Sequence, residues 1–388
     1  MAGSQETELR KFVSPEFVIG LGAAGLASRY ATNLGTRRPM LVTDAGLVEA
    51  GWAGELEGQL KDAGLECVVY GAVTPNPKDH EIMAGAAVYQ ERGCDALVAV
   101  GGGSVLDCAK GIGVVTACGG HILDYEGVDT IERPLPPMVC VPTTSGSSAD
   151  VSQFAIISDT RRMVKIALVS KMLVPDVSLI DPRPSTTMGR ALTAETGVDA
   201  LTHAIEAYVS NASSPVTDLF ALEAMRLVRG HLVNAVREPD SIVARSKMCL
   251  ASLDAGLAFS NAILGAVHGM AHSLGGYLDL PHGECNAILL GPVVAFNFSA
   301  TPVRYRDVAR ALGCQTDDAP DDEVRDTLLE AIRQLRTDLG ITRNLAELGV
   351  VREDIPHLAE LAMKDPCLLT NPRKPVQADI EAIYEAAL

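Results

Sequence analysis

Positive charge is in deficit in this 388-residue chain: 32 Lys and Arg stand against 49 Asp and Glu, a formal net charge of −17. A chain so acidic argues against nucleic acid and anionic membrane surfaces as partners, since both demand a basic face. Paired cysteine motifs are also missing. The nine cysteines are odd in number, scattered and never arranged as CxxC. That spacing excludes a disulfide framework and a thiolate zinc site, and predicts a reducing cytoplasm. The opening MAGSQETELRKFVSP has no apolar core of the kind a secretory signal carries. Long hydrophobic runs are absent as well. The most suspect run, the uncharged Cys285 to Val303, is interrupted by Pro292, two asparagines and two small hydroxyl residues, and so predicts a buried helix entering a turn rather than a membrane span. There is no internal repeat and no low-complexity tract.

What the chain does have is apolar bulk. Hydrophobic residues make up 47% and charged residues 21%, enough to bury a large core and too apolar for disorder. Up to about residue 180, short β-branched runs alternate with helical patterns. FVIG (17–20), PMLVTD (39–44), ECVVYG (66–71), DALVAVGGG (95–103) and PMVCVPTT (137–144) read as strands. Such alternation predicts a mostly parallel sheet with right-handed crossovers. Around DPRPSTT (181–187) the character changes and long helical patterns take over. The expected organisation is an α/β, Rossmann-like nucleotide-binding domain over 1–185, followed by an all-α domain over 186–388 that binds metal and substrate.

Three loops follow predicted strands. The first, FVIGLGAAG, places G-x-G-x-x-G at Gly20, Gly22 and Gly25, and the next strand ends in Asp44, where a Rossmann-type acid meets a ribose hydroxyl. It reads equally as a glycine-rich strand-to-helix turn. The second runs through Gly101, Gly102, Gly103 and Ser104 into a helix, so that free N–H groups attract a phosphate. Ser104 with Asp107 also fits an S-x-x-D capping box. The third, VPTTSGSSADVSQ, crowds Thr143, Thr144 and Ser147 at a strand's C-terminal end. Three polar loops on successive strand ends predict a cofactor crevice.

The fragment ETGVDALTHAIEAY carries Asp199 and His203 one helical turn apart, on one face. Alone, that is half a metal site, but more often an ordinary surface pair. The other half is offered by GAVHGMAHSLGGYLDLPHGE, in which His268 and His272 are an i,i+4 pair and His282 follows ten residues later. Asp199, His203, His268 and His282 together supply one carboxylate and three imidazoles. That donor set suits Fe(II) or Zn(II) and leaves a position open for substrate.

With these residues in place the chain resembles the iron-containing (group III) alcohol dehydrogenases, of dehydroquinate-synthase-like fold. GGGSVLDCAK, VPTTSGS, KIALVSKMLVPDVSLIDP, TGVDALTHAIEAYVS, NAILGAVHGMAHSLGG and PHGECNAILL stand in family order over nearly the whole length. The resemblance implies that Asp199, His203, His268 and His282 are metal ligands. It makes Gly101 to Ser104 a diphosphate loop, Thr143 and Thr144 nicotinamide-side hydroxyls, Lys165 a cofactor contact and Asp44 an acid favouring NAD(H). GLGAAG then becomes mostly the first strand's turn. Asn76, Phe259 and Cys367 resemble substrate-pocket lining, and His272 is the candidate proton relay. The chain departs from the family at Ser148, in place of a glycine, and at Gln153, in place of a proline, both near the expected nicotinamide end. The implied activity is hydride transfer between NAD(H) and a small primary alcohol or aldehyde, by a homodimer or higher homo-oligomer. The alternatives are a zinc polyol dehydrogenase of the glycerol type, a non-redox metal-dependent cyclase of the same fold, and a non-catalytic nucleotide-binding regulator.

Overall fold

The structure, a computed structural model, describes residues 9–388. The first eight residues of the stretch read as lacking a signal core lie outside the described residues. Among the described residues, all strands lie between residues 16 and 180. They are β1 (Glu16–Ile19), β2 (Pro39–Asp44), β3 (Val68–Val73), β4 (Ala96–Gly101), β5 (Gly127–Val128), β6 (Met138–Pro142), β7 (Phe154–Asp159), β8 (Val164–Val169) and β9 (Val177–Ile180). Six of them form a parallel sheet in the order β1-β9-β6-β4-β2-β3.

The crossover helices are α1 (Ala27–Asn33), α2 (Trp52–Asp62), α3 (Asp79–Glu91) and α4 (Gly103–Cys118). They cover both faces, which is why β4 is apolar along its whole length. Leu97 and Ala99 pack to one side of the sheet, Val98 and Val100 to the other. A second sheet of three strands, β5-β8-β7, was not expected. Its hairpin pairs β7 and β8 antiparallel and carries Asp159 and Lys165 inside short runs, which blurs the hydrophobic pattern.

From Pro182 onward the chain is helical. The long helices are α5 (Arg190–Val209), α6 (Pro215–Arg237), α7 (Ile242–Ala262), α8 (Ala266–Tyr277), α9 (His282–Asn297), α10 (Pro302–Ala311), α11 (Asp321–Asp338), α12 (Ile355–Ala362) and α13 (Gln377–Ala387). From Gly197 to Val209 every residue of α5 is buried, so it is a central helix rather than an amphipathic surface one. That placement removes the surface-pair reading of Asp199 and His203. The uncharged run after Cys285 is buried helix α9, bearing Pro292 inside it, followed by a short 3-10 turn. No single helix among the described residues is long and apolar enough to cross a membrane, and the apolar pair α7 and α8 is bent by 99°.

The capping-box reading of Ser104 and Asp107 is overturned. Helix α4 starts at Gly103 with Gly102 at its N-cap, so Ser104 already lies inside the first turn. The Ser104 hydroxyl accepts instead from the Asn76 N–H at 3.2 Å, and Asp107 accepts from the Ile156 N–H at 3.1 Å. The G-x-G-x-x-G turn points its donors inward too. Gly22 and Ala24 give their N–H groups to the Asp181 carboxylate at 2.9 and 3.3 Å.

Candidate active site

A cavity of about 900 Å3 lies between the C-terminal ends of the parallel strands and the helical half. Open α/β sheets place ligands at that edge because the loops leaving the strands diverge there. Asp44 at the end of β2, Asn76 after β3, Gly102 to Ser104 after β4, and Thr143, Thr144 and Ser147 after β6 all line it. So do Asp107 of α4 and Lys165 of β8. Gly101 does not: it ends β4 beneath the loop, and a Cβ there would meet Val105. The loops pack closely, and a Cβ on Gly103 would stand 2.7 Å from the Ser147 side chain. Glycine is needed there for the two loops to meet.

The cavity's other end is lined by Asp199, His203, Phe259, His268, His272, His282 and Cys367. Asp199 and His203 come from α5, His268 and His272 from α8, and His282 opens α9. The Nε2 atoms of His268, His282 and His203 stand 3.5, 3.7 and 3.8 Å from one oxygen, Asp199 Oδ1. In a tetrahedral site with ligand distances of about 2.0–2.2 Å, neighbouring ligand atoms stand about 3.3–3.6 Å apart. The spacing therefore fits a divalent first-row metal. Asp199, His268 and His282 have ligand atoms all within 4.8 Å of one another, while His203 approaches Asp199 but stands outside that group. His203 stacks on His268, with ring centroids 4.4 Å apart, and on Phe259 at 4.3 Å.

The electrostatics suit the same use. Burial pushes the Asp199 carboxyl up, but His203, His268 and His282 outweigh it and hold Asp199 well below the usual carboxylate range. Burial pushes His203 down to about 3 against the opposing pull of Asp199, and it lowers His282 as well. Both rings are thus neutral, as ligands must be. For His268 burial is overcome by the carboxylates of Asp199 and Glu206, which hold it up to about 9, so this ring has to release a proton to take a cation.

Three polar residues of the site escaped the sequence reading. Glu206 takes the His268 Nδ1 at 2.6 Å and the Val267 N–H at 2.7 Å. Its signal was present: it follows Asp199 by seven residues on the same helix, hence on the same face. Asp365 accepts from His272 Nδ1 at 2.8 Å and from the Cys367 N–H at 2.8 Å. Asn286, one turn after His282, reaches Asp199 Oδ1 at 2.7 Å. Helical spacing marks Asn286 too, four residues after His282 on α9, whereas no pattern in the chain marks Asp365 as close to the site.

Ser148 and Gln153 do not themselves line the cavity, although Ser147, Ala149, Ser152 and Phe154 beside them do. Ser148 donates to the Ser252 carbonyl at 2.6 Å, and the Gln153 amide bonds the Ser260 carbonyl, so both tie the loop to α7. Asn76 does more than line a pocket. Its amide accepts from Lys165 Nζ at 2.8 Å and donates to Asp279 Oδ1 at 2.7 Å, across the cavity rim.

Residues 14–182 match a family described as iron-containing alcohol dehydrogenase, and residues 193–388 match the C-terminal part of the Fe-containing alcohol dehydrogenase family. Among curated proteins the chain is 41% identical over 370 residues to the 1,3-propanediol dehydrogenase of Citrobacter freundii, covering 95% of this chain and 96% of that one. It is 38% identical over 377 residues to the NAD-dependent methanol dehydrogenase of Bacillus methanolicus, covering 97% and 99%. A crystal structure of a 1,3-propanediol oxidoreductase superposes with a TM-score of 0.95 at 40% identity, over 98% of this chain and 100% of that one.

Proposed function

The chain belongs to the iron-containing alcohol dehydrogenase family, and from that premise we propose how its cavity carries out the reaction. The protein is a metal-dependent oxidoreductase that moves hydride between NAD(H) and a small primary alcohol or its aldehyde. Its relatives do not favour the polyol, cyclase or non-catalytic alternatives. The observation that carries the site assignment is the ring of three imidazole Nε2 atoms around Asp199 Oδ1, opening into the same cavity as the glycine loop.

We assign Asp199, His203, His268 and His282 as the residues that hold the metal. A divalent cation there supplies Lewis acidity toward an alcohol or aldehyde oxygen, and the nicotinamide supplies the redox chemistry. The residues of the chain do the rest. Gly102, Gly103 and Ser104 present the start of α4 to the diphosphate. Asp44, whose carboxylate also caps the following turn through the Leu47 N–H at 2.9 Å, meets the adenosine ribose and disfavours an added phosphate. Thr143, Thr144, Ser147 and Lys165 seat the nicotinamide half. Phe259 walls the substrate end from water and keeps the His203 ring in place. Asp365 takes the proton side of His272 Nδ1, which leaves Nε2 as the nitrogen free to accept or return the alcohol proton.

The substrate we assign is short and uncharged. Phe154, Phe259, Leu264 and Cys367 make the lining apolar, and Lys165, its cation, is already held by Asn76. The name of the Citrobacter relative puts a three-carbon hydroxyaldehyde first among candidates. We place the division of labour near residue 185, nucleotide before it and metal after it. A homodimer is supported by the free edge of β1, where Phe17 and Ile19 are about 40% exposed. A cytoplasmic setting is supported by nine unpaired cysteines.

NADH oxidation tests the whole reading, using protein stripped of metal and reloaded anaerobically with Fe(II) or Zn(II). We expect turnover of 3-hydroxypropionaldehyde and lactaldehyde only after reloading, and far less with sulfoacetaldehyde. Equal turnover in the stripped protein would overturn the metal assignment. A preference for the anionic aldehyde would overturn the substrate class.

A further inference from the structure

Most metal-binding histidines are aimed by a partner on the ring nitrogen that does not face the metal. His268 has one in Glu206. His282 does not: its Nδ1 is buried with no hydrogen-bond partner. What holds this ring is on the other side. The Asn286 amide nitrogen lies 3.2 Å from His282 Nε2 and 2.7 Å from Asp199 Oδ1, with His268 Nε2 at 3.3 Å. Asn286 is fully buried and stands one helical turn after His282 on α9.

The direction of these bonds follows from the atoms. An amide nitrogen carries two hydrogens and no lone pair to give, so it donates. If the amide were turned over, its oxygen would stand 2.7 Å from a carboxylate oxygen, lone pair against lone pair. The nitrogen faces the site, and the amide oxygen, also buried, is left without a partner. A donor opposite Nε2 favours the His282 tautomer whose Nε2 is bare, the one a metal requires, and leaves Nδ1 as the protonated nitrogen. Two unpaired buried atoms, His282 Nδ1 and Asn286 Oδ1, thus flank the same contact.

We propose that Asn286 is a positioning residue of the metal centre, holding Asp199 and His282 in ligating orientation and so setting the affinity for a divalent cation. A carboxylate oxygen has lone pairs for a cation and for the amide together, whereas an imidazole Nε2 has only one. On loading, the amide keeps Asp199 and releases His282. Being neutral, it brings the ligands together without the charge with which a lysine would oppose the cation.

The inference rests on the assignment of Asp199, His203, His268 and His282 as metal ligands, and Co(II) binding separates the two. Stripped wild-type protein is titrated with Co(II) against a chelator, following affinity and the visible d–d spectrum, with NADH affinity as the check on folding. Asn286→Ala is expected to bind Co(II) some 10–100-fold more weakly, with an altered spectrum and unchanged NADH affinity. Asn286→Ser, which keeps one donor, falls between. Wild-type Co(II) affinity and spectrum in both variants would overturn the role of Asn286 alone. A wild-type protein that takes up no Co(II) would overturn the metal assignment itself. If Asn286→Ala fails to fold, an Asn286→Ser variant of wild-type affinity and spectrum overturns the inference.

Discussion

Asp254 is a buried acid on α7 that does not line the cavity. Burial, and then the nearby Glu223 carboxylate, push it up to about 7. Between its ordinary value of 3.8 and about 7 the folded chain therefore binds more protons at this position than the unfolded chain does. Stability from this group is full below that window and falls as pH rises through it. Asp254→Asn is expected to be more stable than the wild type at pH 8 by a few kcal/mol, at about 1.4 per pH unit crossed, with the gain shrinking toward pH 5. Urea unfolding at the two pH values measures it, and a gain that does not grow with pH would contradict the assignment. His272 is the other residue whose role can be isolated. His272→Ala should keep its metal, read by metal analysis, and lose about 10²-fold or more in kcat. Undiminished activity across pH would remove it from proton transfer.

At the scale of elements, the cavity is crossed by a contact between the loop after β3 and the loop between α8 and α9. Asn76 and Asp279 both sit in the left-handed backbone region, with φ of 54° and 52°, and their side chains bond each other. After glycine, Asn and Asp are the residues that tolerate that conformation best. Lys78 Nζ stands 3.8 Å from the same Asp279 oxygen. A dinucleotide entering along the glycine loop passes this contact. Asp279→Ala is expected to speed NADH dissociation severalfold, followed by stopped-flow fluorescence, with metal affinity unchanged. An unchanged dissociation rate would mean that the contact does not lie on the exit path.

For the molecule as a whole, the ligand set ties α8 and α9, which the short loop 278–281 connects, to α5, which no short loop holds in register with them. A cation bound by all four side chains stabilises the fold by mass action, about 2.7 kcal/mol when free metal is a hundredfold above its dissociation constant. Stripping the metal should lower the melting temperature by several degrees, and reloading should restore it. A Tm indifferent to metal would show that the helices are set by packing alone. The helical core already packs Val198, Leu201 and Ile205 of α5 against α6 and α9, so the loss will not unfold the protein.

Where the chemistry depends on local geometry, the chain alone was enough. The pitch of a helix puts Asp199 beside His203, and glycines after a buried strand open backbone N–H groups at the start of α4, whatever the rest of the protein does. The strand runs and the change of character near residue 182 were legible for the same reason, because periodicity is a local property. What only the tertiary structure decided are contacts between residues far apart in the chain. Asp365 reaches His272 from 93 positions away, and Asn286 reaches Asp199 from 87. Asn76 meets Asp279 across 203. Ser148 and Gln153 bond α7 rather than line the cavity, because a side chain's direction depends on which helix packs over its loop. Spacing along a chain fixes neighbours within a turn or a strand. Partners beyond that are chosen by how the sheet and the helices bury their apolar faces against one another.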